Sequence, residues 1–174
     1  MYKKLFILVL AISLLFSSSG SAFAKGEGGE KYDGAIHGPN GKVIYVKNFE
    51  YTTNVGTQTT AVSGCKSYTL GSNFYNALGQ LVASYSQVID WCYNGSTITS
   101  VTHSHVPVVY RSLYQYNGLV NDSHSGWVGK TSYNAYSQAS FCEFVPNVGC
   151  WWYFYPNVNQ NVYGNGTYNG TAGG

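Results

Sequence analysis

From Lys42 onward the chain holds no stretch in which apolar residues recur at the helical period; short β-prone runs alternate with Gly and Asn instead. A chain patterned this way buries apolar surface only by pairing strands and stacking the resulting sheets. The strand candidates are Lys42–Tyr51, Cys65–Leu70, Ser112–Leu119, Ser132–Phe144, Cys150–Tyr155 and Asn159–Tyr163, together with a hairpin around Asn94-Gly95. Six to nine strands with short turns predict an all-β fold, a single antiparallel β-sandwich, with a closed β-barrel as the alternative.

Asn94-Gly95 is the strongest local turn signal, because both residues tolerate the positive φ of a two-residue hairpin. Such a turn pairs residues whose indices sum to 189. One face then carries Leu81, Ala83, Tyr85, Ile89 and Trp91 opposite Val108, Val106, Ser104, Ser100 and Ile98. The other carries Ser84, Ser86, Val88, Asp90 and Cys92 opposite His105, His103, Val101, Thr99 and Thr97. The first is expected to be core and the second solvent-facing.

Ahead of this region, Lys3 and Lys4 precede an apolar run from Leu5 to Phe16 and a small-residue site at Ala22-Phe23-Ala24. The run is too short to span a bilayer, so residues 1–24 read as a cleaved signal peptide and the protein as secreted and extracellular. Residues 25–41, rich in Gly and charge, read as a flexible lead-in, leaving 42–174 as the sandwich domain. The formal charge of +2 belongs to Lys3 and Lys4. From Lys25 on, Lys25, Lys31, Lys42, Lys47, Lys66, Arg111 and Lys130 balance Glu27, Glu30, Asp33, Glu50, Asp90, Asp122 and Glu143. A neutral chain of scattered charges has no electrostatic footprint for nucleic acid or anionic lipid, and no stable membrane anchor is expected.

Cys65, Cys92, Cys142 and Cys150 form an even set in an exported chain, which predicts two disulfides. Of three pairings, Cys65–Cys92 and Cys142–Cys150 are favoured because each closes a local loop, contributing roughly 3.5 and 2.5 kcal/mol by chain-entropy arithmetic. In the expected hairpin register Cys92 lies on the outer face, so its bridge is expected to cross a loop or a covering strand.

Polarity in this chain comes from Ser, Thr, Asn, Gly and Tyr, a chemistry suited to neutral polar ligands. In Trp151-Trp152-Tyr153-Phe154-Tyr155, strand alternation puts Trp151, Tyr153 and Tyr155 on one face and Trp152 and Phe154 on the other. One set facing solvent makes a platform for sugar rings. Trp127, in a Ser-Gly-Trp loop, is a second exposed-ring candidate. The ligand-binding candidates are therefore Trp127, Trp151, Trp152, Tyr153 and Tyr155.

His103 and His105 leave one face of a strand about 7 Å apart, a spacing at which two imidazoles can share a metal. A third ligand is missing from the local sequence, so they stand as candidates and no metal site or cofactor is assigned. No catalytic residue is assigned either. There is no Gly-x-Ser-x-Gly elbow, and in the expected register Asp90 lies about 13 Å from His103. A glycosidase pair would have to come from Glu50, Asp90 and Glu143.

The stretch Tyr85-Ser86-Gln87-Val88-Ile89-Asp90-Trp91-Cys92-Tyr93-Asn94-Gly95-Ser96-Thr97-Ile98-Thr99-Ser100 resembles a segment of small exported, functionally uncharacterised proteins of Gram-positive bacteria, as does Gly164-Asn165-Gly166-Thr167-Tyr168. The resemblance covers about a quarter of the chain. It implies an exported bacterial domain with a disulfide and carries over no catalytic residue or ligand. The reading that results is a non-enzymatic extracellular binding module for polysaccharide or cell-wall glycan. The alternatives are a secreted pore-forming or antimicrobial toxin, inserting an amphipathic hairpin of alternating polar strands such as Ser96 to Ser104, and a small secreted hydrolase.

Overall fold

A lone strand leaves its backbone donors and acceptors unpaired until neighbours supply partners, and nearly the whole chain past residue 33 solves that problem by antiparallel pairing. The structure is a computed structural model that describes residues 31–60 and 62–174, with backbone alone at 56–60. The expected signal peptide, 1–24, lies outside the described residues.

Ten strands are present among them: β1 (Gly34–His37), β2 (Val43–Thr60), β3 (Ser63–Tyr75), β4 (Leu81–Tyr93), β5 (Ile98–Val109), β6 (Tyr114–Ser125), β7 (Ser132–Val145), β8 (Gly149–Phe154), β9 (Asn157–Tyr163) and β10 (Tyr168–Gly173). One sheet runs β1-β2-β3-β4-β5. The second runs β10-β9-β7-β6, with β8 pairing the C-terminal half of β7 beyond β9. The sheets remain separate, so the fold is a two-sheet sandwich and not a closed barrel.

Alternation puts Tyr68, Phe74, Tyr85, Ile89 and Trp91 of the first sheet against Tyr133, Phe141, Phe154, Val158 and Val162 of the second. Phe74 meets Phe141 and Phe154 at ring separations of 6.4 and 5.3 Å. Polar bonds cross the same interior. The Tyr85 hydroxyl donates to Ser137 Oγ at 2.7 Å, and Gln160 Nε2 donates to the Tyr68 carbonyl at 3.1 Å.

Both expected disulfides form, Cys65–Cys92 and Cys142–Cys150. Cys65 and Cys92 are directly opposed on neighbouring strands β3 and β4, their Cα atoms 4.0 Å apart. The bridge therefore crosses no loop or covering strand. Two disulfides point to an oxidising, extracellular setting. No helix among the described residues is long and apolar enough to cross a membrane.

Two expectations are corrected. Gly34–His37, placed in the flexible lead-in, is the edge strand β1, paired with β2 from Gly34↔Val46 to His37↔Val43 and packing Ile36 on the core. The β4–β5 hairpin closes through a longer loop, in which Asn94 N donates to the Thr97 carbonyl. Asn94 Oδ1 accepts from the backbone of Ser96 and Thr97, an arrangement that holds four residues out of the ladder. A shift between Cys92 and Tyr93 adds one more residue, giving Trp91↔Val101, Ile89↔His103 and Gln87↔His105. The index sum becomes 192 in place of 189. An odd shift turns β5 over: Val101, His103 and His105 join the inward face with Trp91 and Ile89, while Ser100, Thr102 and Ser104 face out.

Candidate functional site

Strand β8 is six residues long and pairs with β7 in the order Phe141↔Phe154, Cys142↔Tyr153 and Glu143↔Trp152. Its pleat drives Trp152 and Phe154 into the core, where Trp152 is 8% exposed. A Cβ on Gly38 would overlap the Trp152 ring, so the β1–β2 connection lies directly on it. Trp152 is thereby excluded from stacking on a ligand. Its neighbours point outward, with Trp151 39%, Tyr153 43% and Tyr155 45% exposed. The Tyr153 and Tyr155 rings lie 6.4 Å apart with planes 11° from parallel. The Lys42 ammonium sits 5.7 Å from the Trp151 ring centroid, within cation–π range.

Lys42 also ion-pairs with Glu143, and this pair borders a cavity of about 330 Å³. Asn40, Asn76, Tyr114 and the edge of Trp152 complete the wall that matters chemically. The cavity thus offers the Asn40 amide, a phenol and a self-neutralised charge pair beside a row of rings, whereas the Asn76 amide donates to Gln80 and accepts from the backbone of Leu78 and Gln80. Burial pushes the Tyr114 phenol above its ordinary range, with the Glu143 carboxylate adding to the effect, so at neutral pH its hydroxyl keeps its proton and remains a donor.

Trp127 is 64% exposed in the β6–β7 loop. That loop enters β7 at Ser132, whereas β8 pairs from Phe141 onward, roughly 30 Å further along the strand. Trp127 therefore does not share a surface with the β8 row.

A second constellation lies where the edge strands of the two sheets face one another. His103 and His105 come from the inward face of β5 and Asp122 from β6. His103 Nε2 is 3.5 Å from Asp122 Oδ1, and His105 Nε2 is 3.3 Å from Asp122 Oδ2. Each imidazole is held from behind by a tyrosine hydroxyl: Tyr133 lies 2.6 Å from His103 Nδ1, and Tyr85 lies 3.3 Å from His105 Nδ1. Burial pushes the Tyr85 phenol up to about 12, against a smaller opposing effect of its bond to Ser137. Burial, followed by the Asp122 charge, raises Tyr133. Both phenols stay neutral over the physiological range. His124 stands alongside, its ring 5.4 Å from His103 and stacked on Tyr133.

No family model, curated protein or solved structure matches this chain.

Strand β6 carries two one-residue irregularities that offset one another in phase, leaving Asp122 and His124 on the same inward face as Tyr116. The pairing steps from Tyr116↔Phe141 to Gly118↔Ser140, and again from Leu119↔Ala139 to Asn121↔Gln138. Gly118, at φ 106°, takes a backbone conformation that disfavours side chains. The skipped residues Asn117 and Val120 restore the phase that points Asp122 and His124 inward beside Ser137 and Ala135. The sequence signal that marks this is the Asn117-Gly118 pair inside an otherwise β-prone run. His37, on β1, sits at the opposite edge of the first sheet from β5 and cannot join the cluster.

The remaining acids are dispersed. Glu50 accepts from the Tyr68 hydroxyl, Asp90 is exposed on the outer side of β4, and Glu143 holds Lys42. Each borders a different cavity. None of these cavities brings any two of Glu50, Asp90 and Glu143 together, as a glycosidase pair drawn from them requires; the one beside Glu50 is also lined by Asp33, whose carboxylate accepts from the Asn48 backbone N–H.

Proposed function

We propose that this protein is a secreted, non-enzymatic binding module for neutral glycan, either a free polysaccharide or a cell-wall glycan, exported by a Gram-positive bacterium. The observation that carries the reading is the outward row Trp151 and Tyr153 on β8 and Tyr155 just past its end, with the planes of the two tyrosine rings nearly parallel. Rings spaced along one strand face span roughly 13 Å. A short run of sugar rings can lie on such a surface through C–H contacts, and tyrosine and tryptophan lose little rotamer freedom in providing it.

The neighbouring cavity supplies the polar half of recognition. The Asn40 amide offers a donor and an acceptor to ring hydroxyls, and the Lys42–Glu143 pair does so without net charge, while the Asn76 amide is engaged within its own turn. The even charge balance of residues 25–174 agrees with a neutral ligand.

The test is retention on insoluble polysaccharides and a glycan array with the disulfide-bonded protein. At least one neutral glycan should retain the wild type, and the double variant Tyr153→Ala/Tyr155→Ala should lose retention while melting at the same temperature. Absence of binding to every neutral glycan, or undiminished binding by that variant, overturns the reading. A liposome dye-release assay separates it from the toxin alternative, since a glycan module leaves vesicles intact.

A further inference from the structure

We infer that His103, His105 and Asp122 form a binding site for a divalent transition metal, zinc(II) by preference, that clasps the two sheets at their open side. The inference is independent of the glycan reading, because the cluster lies between β5 and β6 and takes no residue from β8.

The donor set is two imidazole nitrogens and one carboxylate, a combination that suits zinc and its neighbours better than the all-oxygen cations calcium and magnesium. The distances suit it as well. Zinc–ligand bonds of ~2.0–2.1 Å in a tetrahedron place neighbouring donor atoms about 3.3 Å apart. The two Nε2-to-carboxylate separations are 3.5 and 3.3 Å, and all three donor atoms lie within 4.8 Å of one another. The carboxylate already faces both nitrogens, so a metal enters between groups that are in place.

The tyrosines behind the rings make this more than a surface coincidence. A ligating imidazole almost always gives its other ring N–H to an acceptor, which fixes the tautomer. Tyr85 donates its own proton to Ser137, leaving its oxygen free to accept from His105 Nδ1. His105 Nε2 then presents its lone pair toward Asp122. Tyr133 occupies the same position behind His103. Both supports are rooted in the core, Tyr85 on β4 and Tyr133 on β7, so the site's orientation is set by the packed interior of both sheets.

Three protein ligands leave a fourth position open to water on the solvent side, where Asp122 is partly exposed. The site joins strands that share no backbone pairing, one at the edge of each sheet. Metal binding therefore ties together parts of the fold that hydrogen bonds leave separate, and it should raise resistance to unfolding.

The experiment uses the full untagged chain with both disulfides formed and zinc chloride as the probe, followed by calorimetric titration and thermal melting. Cobalt(II) serves as a spectroscopic substitute. One zinc should bind per chain, and at a free concentration 100-fold above Kd the melting midpoint should rise by about 5–10 °C. Asp122→Asn, which keeps the side-chain shape, should abolish that rise, and Tyr133→Phe should weaken binding by about 10–100-fold. His103→Ala should remove the cobalt absorption of a low-symmetry nitrogen-ligated ion, whereas His37→Ala should leave every readout unchanged. Far-UV circular dichroism of each metal-free variant checks that it has folded. The proposal is overturned if the wild type binds no zinc, or if Asp122→Asn and Tyr133→Phe bind it as tightly as the wild type does.

Discussion

The aromatic row on β8 and the imidazole–carboxylate cluster between β5 and β6 are assembled in opposite ways. The row comes from one strand, and the pleat alone sets its geometry. Trp151, Tyr153 and Tyr155 face out because Trp152 and Phe154 are anchored in the core behind them. The cluster draws its donors from two strands in different sheets that share no ladder. Its geometry depends on how the sheets stack and on Tyr85 and Tyr133 reaching through from the interior. A surface built from one strand should tolerate changes elsewhere in the fold. A site built between sheets should report on them.

Substitutions that break this contrast can be ranked by size. Trp152→Ala removes a core ring and should cost about 3–5 kcal/mol in denaturant unfolding, while Trp151→Ala next to it should stay within about 1 kcal/mol. Comparable losses at the two positions would mean that the inward and outward assignments on β8 are wrong. Gly38→Ala forces a methyl into the Trp152 ring and should cost about 1–3 kcal/mol, measured the same way.

His105→Ala tests the cluster instead. It removes one of the three donors and should eliminate the zinc-induced rise in melting temperature, while glycan retention on β8 persists. Loss of both activities in a folded protein would show that the two regions are not independent.

The pH response sharpens the role of the buried phenols. Tyr85 is raised to about 12 in the folded state from an ordinary value near 10, so the folded protein holds this proton more tightly than the unfolded chain. Its contribution is complete below about pH 10 and declines as pH climbs toward about 12. Rapid unfolding measurements across that window should show falling stability, and the fall should be shallower in Tyr85→Phe. The smallest expected effect is that of Tyr153→Ala alone, which should weaken glycan binding by about 10-fold with stability changed by less than about 1 kcal/mol.

The sheet architecture, both disulfides and the alternation of β8 were legible because each rests on local pattern: period two, cysteine parity, and an uninterrupted strand. β1 and β10 escaped notice for a related reason. Gly34–His37 and Tyr168–Gly173 are short, carry Gly, and become strands only because β2 and β9 offer them an edge.

The metal cluster was half legible. His103 and His105 declare themselves by spacing, but the expected two-residue turn put them on the solvent face. The one-residue shift between Cys92 and Tyr93, which leaves Thr99 out of the ladder, reversed that face; the loop capped by Asn94 alone changes the index sum by two and would have kept it. Asp122 was hidden more deeply. Its partners sit some twenty residues upstream on another sheet, so no period in the sequence links them.

The Lys42–Glu143 pair has a consequence for where such a surface can operate. Opposite charges bound to each other project little field beyond a Debye length, and the rings beside them project none. Added salt has few long-range attractions to screen at that ledge. Adhesion there should hold with nearly equal strength in dilute water and in brine, a useful property in the oxidising, extracellular setting that the disulfides point to, where ionic strength varies.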